Sequence, residues 1–294
     1  MIVKKSSIIG YCYGVSNTVR LAEEAVQLAK EKGLPCYSLG KLIHNNDVVS
    51  YFEKKGLKTI KTPKYNNPGV ALIRAHGIKD CDRRAFENAN FLLIDSTCPT
   101  VLKAANALRW AAKEGKKVII LGYDGHAETL GLQGVEVEKG VLAKSFLVTC
   151  MEDAKELLQS DKIKPEEEVF VVTQTTFSKE DYNNITEFLK TRYKNIGFGN
   201  RPCAFCEKRE LEGLALACQC DCVVVVGGRN SSNTKNLALV AEKSGKPVFL
   251  VENAAGIDQD LVQKLKKFET VAVLSGSSTP MDEIERVEQV LQAI

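Results

Sequence analysis

CVVVVGGRNSSNTKNLALVAEKSGK, residues 222–246, holds a strand, a turn and a helix in one line. Five apolar residues in a row, Cys222 to Val226, fit a strand buried on both faces, which has no need of polar alternation. The Gly227–Gly228 pair ends the run, the polar cluster Asn230–Asn233 follows, and a helical pattern then continues to Lys246. The same order recurs along the chain. SSIIG (6–10), VALIRA (70–75), FLLID (91–95), KVIILG (117–122), EVFVVTQ (168–174), PVFLVE (247–252) and TVAVLSG (270–276) read as further strands. NTVRLAEEAVQLAKEKG (17–33) and TVLKAANALRWAAKEGKK (100–117) read as helices, the first closing on a glycine suited to a helix end. Strand followed by helix, repeated this often, predicts an α/β fold of parallel sheets covered by helices.

Comparing strand ends reveals an internal repeat. Each third opens on a cysteine at a strand-to-helix junction: Cys12, Cys98 and Cys203. Later strands in each third run into polar clusters: LIHNN and RAHG in the first, GYDGHAE and TQTTFS in the second, GGRNSSN and SGSST in the last. The expected architecture is a trefoil of three pseudo-repeated α/β units: residues 13–97, 98–201, and 202–294 completed by 1–12. Three thiolates converging on one point suit an iron–sulfur cluster with one iron left open.

With 294 residues, 44% hydrophobic and 26% charged, the chain has the balance of a globular protein with an ample core. A formal net charge of +3 with scattered basic residues argues against nucleic acid as a partner. The N-terminus has no apolar stretch of signal-peptide length and no later run approaches ~20 apolar residues, so no membrane partner and a cytoplasmic location are expected. Ten cysteines in such a chain then read as reduced thiols. Cys36, Cys81, Cys150, Cys218, Cys220 and Cys222, in or beside apolar runs, are expected to act as small hydrophobes.

Ligands in open α/β sheets bind beyond the carboxyl ends of strands, where helix N-termini offer free N–H groups. All three histidines, His44, His76 and His126, fall in clusters of that kind, although each one singly also reads as a helix cap. Asn230–Asn233 and the Gly276–Thr279 run offer amides, hydroxyls and a helix dipole to a diphosphate, while Ser231 or Ser232 serves equally as an ordinary N-cap. Glu128, where a helix should begin, reads either as a proton donor with a raised pKa or as a first-turn glutamate favoured by the dipole. Asp124 reads as a turn residue. Thr175 and Thr176 either relay a proton or hold a hydroxyl, or simply end a strand.

Taken in order, GYCYGV around Cys12, LIHN around His44, AHG around His76, TCP around Cys98, GHAE at 125–128, TQTT at 173–176, NSSN at 230–233 and GSSTP at 276–280 resemble the 4-hydroxy-3-methylbut-2-enyl diphosphate reductase family over nearly the whole chain. The resemblance implies Cys12, Cys98 and Cys203 as ligands of a [4Fe–4S] cluster. It implies His44, His76, Ser231, Ser232, Asn233 and Ser278 around the diphosphate, with His126, Glu128 and Thr175 near the substrate hydroxyl. The implied activity is reductive dehydroxylation to isopentenyl and dimethylallyl diphosphate, with electrons from a ferredoxin- or flavodoxin-like donor and a proton from Glu128. Three positions depart from the family pattern: Cys206 stands in place of threonine or a small hydroxyl residue, Tyr13 in place of alanine or phenylalanine, and Ala127 in place of proline. Cys203 and Cys206 form C-x-x-C, but zinc wants four ligands and no second such pair supplies them. Two alternatives stand beside it: a paralogue on the same scaffold reducing another substrate, and a non-catalytic iron–sulfur electron carrier with Cys206 as fourth ligand.

Overall fold

The computed structural model describes residues 1–62 and 68–294. In chain order, β1 (Ile2–Lys5), α1 (Tyr13–Lys32), β2 (Cys36–Leu39), α2 (Asn46–Lys55), β3 (Leu57–Ile60), β4 (Val70–Ile73), α3 (Asp80–Asn88) and β5 (Leu92–Asp95) come first. Then follow α4 (Pro99–Lys113), β6 (Lys117–Leu121), α5 (Ala127–Gln133), the short β7 (Glu136–Glu138) and β8 (Val141–Leu142), β9 (Ser145–Val148), α6 (Met151–Gln159), β10 (Val169–Thr173), α7 (Lys179–Arg192) and β11 (Ile196–Phe198). The last stretch is α8 (Ala204–Ala217), β12 (Cys222–Val226), α9 (Ser232–Glu242), β13 (Val248–Val251), α10 (Gln259–Leu265), β14 (Thr270–Ser275) and α11 (Met281–Gln292).

The chain divides into two compact units, one of residues 1–16, 43–51 and 204–294, the other of residues 17–42 and 52–203. The first holds one four-stranded sheet in the order β1-β14-β12-β13, parallel throughout. In the register Val224 lies opposite Val273 on one side and Phe249 on the other. The continuous apolar run of β12 is explained by its two covered faces. Cys222, Val224 and Val226 pack with Leu265 of α10 and Ile284, Val287 and Leu291 of α11. Val223 and Val225 turn the other way, onto Ala217 of α8 and Leu237, Ala238 and Ala241 of α9. Each such fully buried aliphatic side chain contributes about 1.5–3 kcal/mol over exposure.

The second unit holds two more parallel sheets, β3-β2-β4-β5 and β11-β10-β6-β9. β6 repeats the logic of β12. Ile119 and Leu121 join a core with Tyr182, Ile185 and Leu189 of α7, while Val118 and Ile120 face Ala104, Leu108 and Ala111 of α4. The predicted α/β class and its parallel sheets are therefore present. Gly33, at φ +63, closes α1 as expected, with Leu34 N–H donating to Ala29 O at 2.9 Å in a six-residue loop.

Local readings were wrong in specific places. SSIIG is not a strand: β1 lies four residues earlier, at Ile2–Lys5. As a sheet edge, β1 needs little apolar content and carries the exposed Lys4 and Lys5, which discourage further pairing. Ser6, Ser7 and Ile8 instead wrap the Glu212 carboxylate, which accepts from the Ser6 hydroxyl and from the Ser7 and Ile8 N–H groups. β2, β3, β9 and β11, each three or four residues long, are not among the strands read from the sequence. Among the described residues no helix is long and apolar enough to cross a membrane.

Candidate active site

Each of the three junction cysteines sits at the residue immediately before a helix: Cys12 before α1, Cys98 before α4, Cys203 before α8. Cys98 is the N-cap of α4, with Pro99 in the first helical position, where its missing N–H costs nothing. All three are half-buried, and none is in a disulfide. Cys36 and Cys222 are different: they lie on buried strands, and burial pushes their thiols up to about 11 and about 12. They behave as the small hydrophobes expected, as does Cys220, whose thiol burial also raises. Cys81 and Cys218 do not, since both are exposed: Cys81 on α3 and Cys218 in the turn after α8 face solvent, which a run of neighbours cannot reveal.

In the unit of residues 17–42 and 52–203, the polar strand ends come together around Glu128. This residue lies in the first turn of α5 and is 2% exposed. Thr175, just beyond β10, donates its backbone N–H to Oε1 at 2.7 Å and its hydroxyl to Oε2 at 2.8 Å. Burial pushes the Glu128 carboxyl up to about 7, the two Thr175 bonds pull against that rise, and the nearby Cys203 thiolate adds to it. The Thr175 carbonyl accepts from Cys203 N–H at 2.8 Å, so one threonine carries the acid and a junction cysteine together. Glu128 is thus a first-turn residue of α5 whose carboxyl burial raises toward neutral pH.

His126 caps α5, its Nδ1 accepting from Glu128 N–H at 3.2 Å. That bond places the imidazole proton of a neutral ring on Nε2. His76 meets it edge to face, ring centroids 5.7 Å apart. Cys98 N–H donates to Ala75 O at 3.0 Å, which sets the second cysteine beside the His76 loop. A cavity of about 270 Å³ opens here, lined by His76, Thr97, Val101, Leu102 and Glu128 among others. Asp124 is the turn residue expected, its carboxylate accepting from Gly125 N–H at 2.9 Å.

Two residues that sequence reasoning passed over hold this arrangement. Gln174 is fully buried; its Oε1 accepts from Tyr123 N–H and from the Thr129 hydroxyl, each at 2.9 Å, and its Nε2 donates to Thr176 at 2.5 Å. It thereby fixes both the 123–126 turn and the residue after Glu128. Asn200 exchanges two bonds with Thr173, 2.8 Å from its N–H and 2.7 Å to its carbonyl, and so continues the ladder of β10 toward Cys203. A buried amide at a strand end was the available signal.

In the unit of residues 1–16, 43–51 and 204–294, a second group of polar residues gathers at the ends of β12 and β14. Ser231 is the N-cap of α9, accepting from Thr234 N–H at 3.3 Å, so its capping role is real. Gly227 adopts φ +154 and lies against Thr234 and Thr279. A Cβ on Gly228 would stand 2.3 Å from the His44 carbonyl oxygen, a distance only glycine permits. The same carbonyl accepts the Ser278 hydroxyl at 3.2 Å. His44, Ser278, the N-cap Ser231 and the first α9 residues Ser232 and Asn233 thus form one polar rim at the N-terminus of α9.

Cys12 is placed there too, its N–H donating to Ser277 O at 3.3 Å. The Cys206 thiol donates to Asn233 Oδ1 at 3.1 Å, doing for the asparagine what a hydroxyl would do. With that oxygen occupied, the Asn233 amide presents its N–H₂ elsewhere. Tyr13, 73% exposed, faces solvent. Ala127 opens α5 in a first-turn position that proline also tolerates.

A family model described as LytB protein matches residues 3–292. The 4-hydroxy-3-methylbut-2-enyl diphosphate reductase of Caldanaerobacter subterraneus subsp. tengcongensis is 31% identical over 288 residues, 97% of this chain and 94% of the relative. That of Clostridioides difficile is 30% identical over 296 residues, 99% of each chain. Among solved structures, the E-1-hydroxy-2-methyl-but-2-enyl-4-diphosphate reductase from Plasmodium falciparum matches with a TM-score of 0.87 at 28% identity, covering 98% of this chain and 87% of that one. A second, described as (E)-4-hydroxy-3-methyl-but-2-enyl diphosphate reductase, the terminal enzyme of the non-mevalonate pathway, gives 0.71 at 26% identity with both chains fully covered.

Proposed function

The chain belongs to the LytB protein family, and from that premise we propose that it reduces 4-hydroxy-3-methylbut-2-enyl diphosphate to isopentenyl and dimethylallyl diphosphate. The balance is two electrons and two protons in, one water out. The observation that carries this reading is Glu128: a buried carboxyl held by Thr175, raised to about 7, and joined through Thr175 to Cys203.

A [4Fe–4S] cluster fits the donor set, since Cys12, Cys98 and Cys203 are half-buried cysteines outside any disulfide, each at a helix N-terminus, where the dipole favours a thiolate. Those three would hold it, leaving one iron without a protein ligand. Bound there, the cluster supplies one-electron transfers and a Lewis acid for the departing hydroxyl. Glu128 holds the proton that leaves as part of water, and the Thr175 hydroxyl orients both that carboxyl and the substrate hydroxyl. His126, with its Nε2 proton, donates toward the same hydroxyl. His44, His76, Ser231, Ser232, Asn233 and Ser278 bind the diphosphate through N–H and O–H donors, aided by the positive end of α9. Holding the diphosphate fixes the carbon skeleton, so much of the barrier is met by orientation.

We take the repeating units as residues 13–97, 98–201, and 202–294 with 1–12; each of the three sheets draws its strands from one of them. A ferredoxin- or flavodoxin-like protein is the proposed electron donor, and the cytoplasm, with its reduced thiols, the proposed location. The Cys206 thiol is committed to Asn233, which favours a pocket wall over the electron-carrier alternative. Anaerobically purified protein should carry four irons and turn over the hydroxylated diphosphate with reduced viologen dye. Cys98→Ser should lose iron and turnover. A full cluster in that variant, or no turnover by the iron-loaded protein, would refute the proposal.

A further inference from the structure

Arg209, on α8, is 3% exposed, yet none of its hydrogen bonds reaches a carboxylate. Nη1 donates to Ser275 O at 2.6 Å and to Ser275 Oγ at 3.3 Å, and Nη2 donates to Gly10 O at 2.7 Å. Among the described residues Nε has no hydrogen-bond partner, and the Phe205 ring lies 5.4 Å from the guanidinium carbon. Burying a cation among neutral dipoles is costly unless an anion compensates it. Burial lowers the Arg209 pKa, and the neighbouring Cys206, Cys12 and Glu212 groups oppose that fall. Glu212 Oε1 accepts from the Ser6 hydroxyl and from the Ser7 and Ile8 N–H groups. Among the described residues, then, this unit carries a buried guanidinium that no carboxylate is hydrogen-bonded to, tied to the turn that leads into Cys12.

We propose that Arg209 is the buried counter-charge of the iron–sulfur cluster, set beside the Cys12 ligand so that it favours the reduced state over the oxidised one. The inference rests on the cluster reading above. Each one-electron reduction by an external donor adds one negative charge to the cluster and leaves the protein charge unchanged. A fixed positive charge in a low-dielectric setting therefore stabilises the product of that step more than its reactant. The same guanidinium ties Gly10 O to the end of β14, and Gly10 N–H donates to Ser275 Oγ at 2.9 Å, which holds the turn leading to Cys12. Arg209 is thus a positioning residue whose charge, more than its hydrogen bonds, carries the effect.

Two variants separate charge from hydrogen bonding. Arg209→Gln keeps an amide donor and loses the charge; Arg209→Lys keeps the charge and loses the fork. Substrate-free, iron-loaded protein is titrated anaerobically with reductant, following absorbance and electron paramagnetic resonance. Arg209→Gln is expected to be at least tenfold harder to reduce, about 59 mV lower for one electron, while Arg209→Lys stays close to the unmodified protein. Loss of iron from Arg209→Gln with retention in Arg209→Lys supports the proposal equally. An unshifted potential in Arg209→Gln, a matching shift in both variants, or failure of both to fold overturns it, since each makes Arg209 a structural clamp. Iron counting on the unmodified protein tests the cluster reading separately: no iron there overturns that reading and this one with it.

Discussion

Replacing Glu128 by glutamine removes the carboxyl's proton chemistry while keeping its shape. Oε1 of the glutamine can still accept from Thr175 N–H, and its Nε2 can donate to the Thr175 hydroxyl, so the local frame persists. The unmodified carboxyl titrates at about 7 when folded against an ordinary 4.5, because burial outweighs the two Thr175 bonds. The gap corresponds to roughly 3 kcal/mol at about 1.36 kcal/mol per pH unit. A folded value above the unfolded one means that the folded state holds the proton more tightly. Stability is therefore greatest below 4.5, falls as pH rises toward about 7, and carries the full cost above that. Glu128→Gln has no such slope. Denaturant unfolding of both proteins at pH 5 and pH 8 should show the variant gaining roughly 2–3 kcal/mol on the unmodified protein between the two conditions. Turnover should fall about 10²- to 10⁴-fold, the usual cost of losing a general acid. The unmodified enzyme should itself lose activity as pH rises through about 7, where Glu128 gives up its proton. Parallel stability curves, or turnover within a factor of a few of the unmodified rate, would reduce Glu128 to a helix-terminus carboxylate.

Gly228→Ala should raise KM for the diphosphate and destabilise by about 1–3 kcal/mol, because the new methyl meets the His44 carbonyl at 2.3 Å; thermal unfolding and steady-state kinetics check it. Gln174→Leu strands the Tyr123 N–H and the Thr129 hydroxyl, two buried donors at about 1–3 kcal/mol each. Its kcat should fall with iron content unchanged, and an unaltered kcat would remove Gln174 from the positioning role. Cys206→Thr should keep both iron and activity, whereas Cys206→Val loses the bond to Asn233 and should raise KM about 2- to 10-fold, as expected of one net hydrogen bond. Iron loss from Cys206→Thr would instead make Cys206 a ligand.

The order of strands and helices was legible because central parallel strands are buried on both faces and so carry unbroken apolar runs, as in β6, β10 and β12. Candidate site residues were legible for a related reason: polar types such as His126, Glu128 and Ser231 occur directly after those runs, where the local chain alone brings them to a helix N-terminus. What escaped depended on partners distant in sequence. β1 is a strand because β14 pairs with it, and nothing in Ile2–Lys5 says so. Gln174 matters through Tyr123 and Thr129, Asn200 through Thr173, and Arg209 through Gly10 and Ser275. The rise of the Glu128 carboxyl to about 7 is likewise tertiary, since it comes from burial by the whole unit against the two bonds of Thr175. By itself the sequence determined which elements form and which chemical groups stand at their ends, both being matters of local pattern. Tertiary structure alone decided which of those groups meet and what charge each one holds, because hydrogen-bond partners and desolvation exist only once distant segments pack.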